Sequence, residues 1–570
     1  MKTLSEDLHT PLTALYQECF RDNFTLPALT LYGSDETMTY GELGRRIARL
    51  HLFYKTIGLK KGDKVALMGK NTPTWISIFM GTITYGATIV PVLNEFNGAD
   101  ALTIINHSDA IILFADNHTL RHLDTDALTA IKAVISLETR KVVTARCADI
   151  EEAVSMLTER FIALYPDGFS RSDISYPHVA ENDIAVINYT SGTTGFSKGV
   201  MLTYANLMGN IVFGIRSRLH YQGSRALAFL PLAHAYGCAF DMLVPLATGT
   251  HITVLGRTPT PQLLVKAMNE VKPSLIICVP LILEKIYKRM IVPLISKPTM
   301  RWVMAVPMLD KAVYAMIRSK LVEAFGGAFE EVIVGGAPLN PEVEDFLHRI
   351  KFPFTVGYGM TECGPLISYT PWRKFIPTSA GKTLTGIMQA KIMARNIDDM
   401  TPAETSDSEN ILGEICVRGF NVMAGYYKNP EATAEVLDSD GWLHTGDMGK
   451  LGGDYGNTIF IRGRYKTMLL SANGQNVYPE EIEAKLNNMP YVAESLVVER
   501  NGHFHALVVP DFDAIHQDGV SQQQLDEIMK ENREALNKLV APYEKIETFE
   551  IQDEEFEKTP KRSIRRFLYK

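Results

Sequence analysis

The chain is 570 residues long, with 46% apolar, 21% charged and 9% aromatic residues, proportions that exclude a collagen-like, coiled-coil or wholly disordered protein. At about 150 residues per domain, that length predicts roughly three to four structural units. Its 57 basic and 65 acidic residues leave a net charge of −8, which gives no footprint for nucleic acid and excludes DNA or RNA as the main partner.

The N-terminal MKTLSEDLHT is polar and acidic where a secretory leader needs a basic start and an apolar run, so a cytoplasmic protein is expected. Thr39 and Glu42 have capping-box spacing, and Leu43, Ile47, Leu50 and Tyr54 follow at helical intervals until Gly58. The uncharged stretch from Thr74 to Asn94 is long enough to raise a membrane question. It carries Pro91 and several hydroxyls, and reads instead as a buried helix running into a strand. Short apolar strands, at Ile184 to Ile187, Leu227 to Leu230, Leu275 to Val279 and Val332 to Val334, alternate with helices and predict a large α/β core. The acidic, aperiodic stretch from Asp398 to Asn410 reads as a surface loop.

Beyond about residue 465 the pattern changes. Pro479 opens a helix through Ile482 and Leu486, and two β-rich runs flank Asn501-Gly502, a hairpin signal. Ser521 and Gln524 cap a further helix whose apolar face is expected to carry Leu525, Ile528, Met529, Leu536 and Leu539. Residues 466–570 therefore read as a separate small α+β domain behind a large α/β domain of residues 1–465. Cys19, Cys147, Cys238, Cys278, Cys363 and Cys416 are scattered without a CxxC pair, so neither a disulfide framework nor a zinc site is expected.

The most informative segment runs from Tyr189 to Val200, after a strand and before a helix expected near Thr203. Gly192 and Gly195 let backbone amides approach an anion, Thr190, Ser191, Thr193 and Thr194 supply hydroxyls, and Lys198 adds a point charge suited to a polyphosphate. The Walker A spacing is absent, which disfavours an ordinary P-loop NTPase. Taken in isolation, a loop of this composition is more often a plain surface turn.

Further strings follow in order: Leu230-Pro-Leu-Ala-His-Ala-Tyr-Gly237, Gly335-Gly-Ala-Pro-Leu339, Gly357-Tyr-Gly-Met-Thr-Glu362, Gly413-Glu-Ile-Cys-Val-Arg-Gly419, Gly441-Trp-Leu-His-Thr-Gly-Asp447 and Arg462-Gly-Arg-Tyr-Lys466. Together with the 189–200 segment they resemble the core motifs of the acyl-adenylate-forming superfamily, which contains acyl-CoA synthetases, adenylation domains and firefly luciferase. The resemblance implies a large multi-subdomain N-terminal α/β domain, a small mobile C-terminal α+β domain, and use of ATP, Mg2+ and coenzyme A. It implies that Tyr358, with Gly359 and Met360 beside it, stacks on adenine while Gly336, Ala337 and Pro338 pass close to the base. Thr361 then faces the α-phosphate, Glu362 holds magnesium, Asp447 takes the ribose hydroxyls and Arg464 adds positive charge. Lys466 falls at the hinge, and rotation there brings the segment around Gly474 to the site for thiol transfer.

Gly237 and His234 belong to the acyl side. A carboxylic acid is already ionised at neutral pH, so His234 is expected to shape or gate the acyl site rather than remove a proton. Val279 to Tyr287 and the helical insertion after it resemble the long-chain fatty acyl-CoA synthetase branch, with medium-chain and aryl acids left open. A fatty acyl-AMP ligase that loads a carrier-protein thiol shares every nucleotide motif.

One position departs from the family pattern. The lysine that enters the active site from near the C-terminus aligns with Ser563 in Thr559-Pro-Lys-Arg-Ser-Ile564, which raises the alternative of a non-catalytic acyl or adenylate binder. Lys561 is the substitute favoured here, with Lys558 and Arg562 as others. The last fourteen residues carry six basic groups against one acidic, a run read as a solvated face, a contact for coenzyme A phosphates, or a peripheral contact with an anionic membrane. The sequence leaves monomer and homodimer equally open.

Overall fold

A computed structural model describes residues 6–190, 198–295, 297, 299–300, 303, 306, 309–393, 412–452, 456–471, 475–559 and 564–569. It is a mixed α/β protein with a large N-terminal and a small C-terminal domain. By contact the chain divides into one unit of Met1–Thr190, Ser197–Gln389 and Val417–Leu443 and another that includes Ala390–Cys416 and His444–Lys570.

The first unit is built on sheets whose parallel strands are buried. Its largest sheet has Lys64–Met68, Thr88–Val92, Ala110–Ala115 and Ala133–Ser136 running parallel. Thr88–Val92 pairs in turn with Ile184–Thr190, which is followed by antiparallel Lys198–Thr203. Strands of this kind read as continuous apolar runs because both faces are covered. The helix expected after residue 39 spans Tyr40–Thr56, and both capping-box bonds form between Thr39 and Glu42. The uncharged stretch becomes the helix Pro73–Tyr85 and the central strand Thr88–Val92. Its hydroxyls are satisfied inside the helix, Thr82 Oγ1 donating to Ile78 O and Thr84 Oγ1 to Met80 O. No described helix is long and apolar enough to cross a membrane.

A three-stranded parallel sheet, Ile276–Cys278, Val332–Val334 and Phe354–Val356, matters most for function. All three strands end at the same edge, where Gly335 N donates to Cys278 O and Gly357 N to Val334 O. The carboxyl edge of parallel strands is where α/β folds place ligands. The strand expected at Leu227 to Leu230 is Arg225–Ala228. It ends earlier because Leu230 N turns to the buried Asp241 carboxylate, 3.4 Å away.

In the second unit, Val492–Arg500 and His503–Pro510 form the expected hairpin, with Asn501 and Gly502 both at positive φ, and Ile546–Ile551 adds in parallel. One face packs on the helices Pro479–Leu486 and Gln522–Leu539 through Ile482, Leu486, Leu525, Met529 and Leu536. The other face covers Phe556. Leu539 departs from the expected apolar face: it is 59% exposed at the helix end, and Val540 turns inward instead. The stretch 398–410 lies outside the described residues.

Half-buried His51 is expected to give stability a pH dependence. Its Nε2 lies 2.9 Å from Gly81 O and 3.1 Å from Thr84 Oγ1, and burial, opposed by the Gly81 bond, pushes its pKa down to about 4. The unfolded chain therefore binds this proton more readily, so the stability His51 contributes is present above pH ~6.5 and is lost as pH falls toward 4. The ceiling is about 3 kcal/mol. His51→Gln, which keeps a donor, should lower the thermal midpoint less than the parent's between neutral pH and pH ~4.5. Identical slopes would assign the acid sensitivity elsewhere.

Candidate active site

The two strands that flank the expected loop are antiparallel neighbours in the first unit. Thr190 pairs with Lys198 and Tyr189 with Gly199, so the two ends of residues 191–197 are held side by side. Ser191, Gly192, Thr193, Thr194 and Gly195 lie outside the described residues. The strand that delivers the loop is braced from below. His107 Nδ1 sits 2.7 Å from the Tyr189 hydroxyl, and burial, then nearby Lys428, lower the pKa of this imidazole. Tyr427 donates to Asp109 Oδ2 at 2.7 Å, and Lys428 Nζ reaches Asp109 Oδ1 at 2.7 Å.

Lys198 Nζ stands 4.8 Å from the ring centroid of Tyr426, and the Tyr426 hydroxyl donates to Glu362 Oε1 at 2.9 Å. One aromatic side chain thus holds a cation on its face and a carboxylate at its tip. Sequence reasoning named Lys198 and Glu362 but missed Tyr426. Its signal was the aromatic string Gly425-Tyr-Tyr427, whose antiparallel pairing of Tyr426 with Val200 becomes visible only in three dimensions. Glu362 sits in a one-turn helix with Thr361, which is 8% exposed, and Met423 N donates to Glu362 O at 2.8 Å.

The sheet edge presents the remaining residues of this unit. Gly336 has φ +86°, in the left-handed region, and Gly336, Ala337 and Pro338 are exposed there. Tyr358 is 8% exposed and pairs with Ser368. Gly359 is tightly covered, since a Cβ there would lie 2.2 Å from Pro365 O. Met360, beside it, is half-buried, and its N donates to the same Pro365 O at 2.9 Å. His234 caps a short helix, its Nδ1 accepting from Tyr236 N at 3.3 Å. Tyr236 in turn donates to Ile333 O at 3.0 Å, tying this segment to the sheet. At Gly237 a Cβ would meet Pro231 O at 2.5 Å, so this glycine is required by packing.

In the second unit Asp447 and Arg464 are cross-strand partners, and Arg464 Nε donates to Asp447 Oδ1 at 3.0 Å. The aspartate is buried and the arginine exposed, their side chains 7% and 59% accessible. Asp447 N also donates to Thr445 Oγ1 at 3.1 Å, which fixes the carboxylate's backbone. Lys466 lies exposed in the turn Tyr465–Thr467 that follows this hairpin. Gly474, Lys561 and Ser563 lie outside the described residues. Three other C-terminal cations are engaged: Lys558 by Glu494 and Glu555, at 2.7 and 3.0 Å, Arg565 by Glu557, and Arg566 by buried Glu483. The basic run is therefore not a uniform cationic strip.

Chemically, the first unit offers a polyphosphate a lysine and a hard carboxylate oxygen of the kind Mg2+ takes; in the second unit, taken by itself, Asp447 is a fixed carboxylate able to accept hydroxyls. Comparison with known proteins identifies the family. The AMP-binding enzyme family matches residues 19–427, and the AMP-binding enzyme C-terminal domain matches residues 466–569. The chain belongs to the AMP-binding enzyme family. Its relatives include the rat long-chain-fatty-acid–CoA ligase ACSBG2, 26% identical over 88% of this chain and 77% of the relative. A 4-coumarate–CoA ligase of Vanilla planifolia is 28% identical over 86% of this chain and 82% of its own. Among solved structures, ATP-bound MatB from Rhodopseudomonas palustris superposes with a TM-score of 0.74 at 21% identity, covering 98% of each chain. MenE from Bacillus subtilis in complex with AMP gives 0.72 at 20% identity, again over 98% of each. These two likenesses establish the fold.

Proposed function

We propose that this protein joins a fatty acid of the long-chain class to coenzyme A through an acyl-adenylate. The observation that carries the reading is the Lys198–Tyr426–Glu362 assembly. In the first half-reaction a substrate carboxylate oxygen forms a bond to the α-phosphorus of ATP, and the α–β phosphoanhydride bond breaks to release pyrophosphate. In the second, the coenzyme A thiol attacks the acyl carbonyl, loses its proton to solvent and expels AMP.

Lys198 and the loop amides bind the polyphosphate, Thr361 faces the α-phosphate, and Asp447 with Arg464 takes the ribose. Mg2+, with Glu362 as its protein donor, supplies charge neutralisation on the phosphates. His234 is tied into its own helix start as an acceptor from Tyr236 N, which fits shaping of the acyl site better than proton removal. Lys466 serves as the hinge and 466–570 as the mobile domain.

The acyl class rests on relatives named long-chain ligases and on the helix Pro280–Ile286, whose Pro280, Leu283 and Ile286 are buried. Relatives named 4-coumarate ligases make aryl acids the competing outcome. The protein is to be incubated with ATP, Mg2+, coenzyme A and a panel of saturated fatty acids and aryl acids, and the thioesters identified by mass. Long-chain acyl-CoA is the expected product. Preference for an aryl acid would replace the substrate class, and absence of pyrophosphate release with every acid would overturn the reaction.

For the missing C-terminal lysine, Lys561 is the proposed substitute, because the Lys558 ammonium is already held by two carboxylates. Lys561→Ala is expected to depress fatty-acid-dependent ATP/pyrophosphate exchange at least tenfold, while thioester formation from preformed acyl-adenylate changes little. Equal loss in both steps would refute the assignment.

A further inference from the structure

Glu414 and Cys416 alternate along one strand, so both point to the same face, and His444 on the neighbouring strand meets them there. His444 Nδ1 lies 2.9 Å from Glu414 Oε2 and 3.5 Å from Cys416 Sγ, and the three donor atoms all fall within 4.8 Å of one another. We propose that Glu414, Cys416 and His444 form a binding site for one thiophilic divalent cation of the Zn2+ type.

The distances already approach those a tetrahedral zinc ion requires. Zinc–ligand bond lengths place nitrogen and sulfur donors about 3.6 Å apart and nitrogen and oxygen donors about 3.4 Å apart. The nitrogen–sulfur separation already matches, and the Glu414 oxygen has to move about half an ångström from Nδ1 and settle about 3.6 Å from Sγ. The charges also match, since a carboxylate, a thiolate and a neutral imidazole balance a dication. On binding, the Cys416 thiol releases its proton to solvent, and the imidazole keeps its proton on Nε2 so that Nδ1 presents a lone pair. Glu414 carries the outer support that metal sites use, because its other oxygen, Oε1, accepts from Gly446 N at 3.0 Å while Oε2 faces His444. The Glu414 side chain is 4% exposed and His444 16%, so the three donors are largely shielded from bulk solvent. Cysteine spacing alone gave no sign of this site, because its three donors come from two strands and one is a carboxylate.

Titration of the full chain with Co2+, in the absence of nucleotide, tests the site independently of the proposed reaction. One equivalent should bind with a thiolate-to-cobalt charge-transfer band, and Zn2+ should displace it. Cys416→Ser should abolish the band, and His444→Gln should weaken Zn2+ binding at least tenfold. Replacing the exposed Cys147 with Ser should leave both unchanged. Circular dichroism establishes that each variant is folded. If a variant fails to fold, the unmodified protein decides: absence of the charge-transfer band there overturns the proposal. Survival of the band in folded Cys416→Ser, or its loss in Cys147→Ser, also overturns it.

Discussion

Asp447→Ala should raise the dissociation constants of ATP and AMP by about two orders of magnitude while shifting the thermal midpoint little. The carboxylate is buried against Arg464 Nε and held by its own backbone bond to Thr445, so it is a preorganised acceptor for two ribose hydroxyls. Hydrogen bonds to a charged group contribute about 1.5–3 kcal/mol each, so losing two at the lower end of that range removes roughly 3 kcal/mol of nucleotide affinity, about two orders of magnitude. The cost to the fold is smaller, since Arg464 is 59% exposed and water can take over its guanidinium. Calorimetric titration with AMP checks this directly. An unchanged dissociation constant in a folded variant would remove Asp447 from the ribose site.

Glu362→Gln is expected to slow acid-dependent ATP/pyrophosphate exchange by about 10²–10³-fold, equivalent to about 3–4 kcal/mol of lost transition-state stabilisation. Glutamine keeps an acceptor for the Tyr426 hydroxyl, so the local packing survives and the difference isolates the charge. The Mg2+ concentration giving half-maximal exchange should rise as well, because a neutral amide is a poorer ligand for a hard cation. Exchange within about threefold of the parent at saturating Mg2+ would show that the metal is held elsewhere.

What could be read from the sequence was the part written in local chemistry. The Thr39–Glu42 and Ser521–Gln524 caps need only side chains three residues apart, and Asn501-Gly502 needs only its own φ preferences. The uncharged stretch was resolved by composition, because Pro91 and the threonines suit a buried helix and strand better than a lipid span. Boundaries set by distant partners were less legible. The strand ending at Ala228 is cut short by a buried aspartate thirteen positions further on, and Leu539 is displaced from the core by its neighbour's turn. In the site, motif strings identified Lys198, Glu362 and Asp447. Tyr426 meets Lys198 and Glu362 through a strand pairing across more than two hundred residues, of which the aromatic string Gly425-Tyr-Tyr427 is the one local trace. The Glu414–Cys416–His444 cluster was hidden for the same reason.

A single phenol ring that touches both Lys198 and Glu362 makes the two charges mechanically inseparable. Swinging the side chain about χ1 to improve the ammonium's seat carries the hydroxyl away from the carboxylate, and a shift of the carboxylate draws the ring with it beneath the ammonium. Evolutionary drift at either charged position is therefore constrained by the other through position 426. A substitution at position 426 is expected to disturb the placement of both charged side chains together.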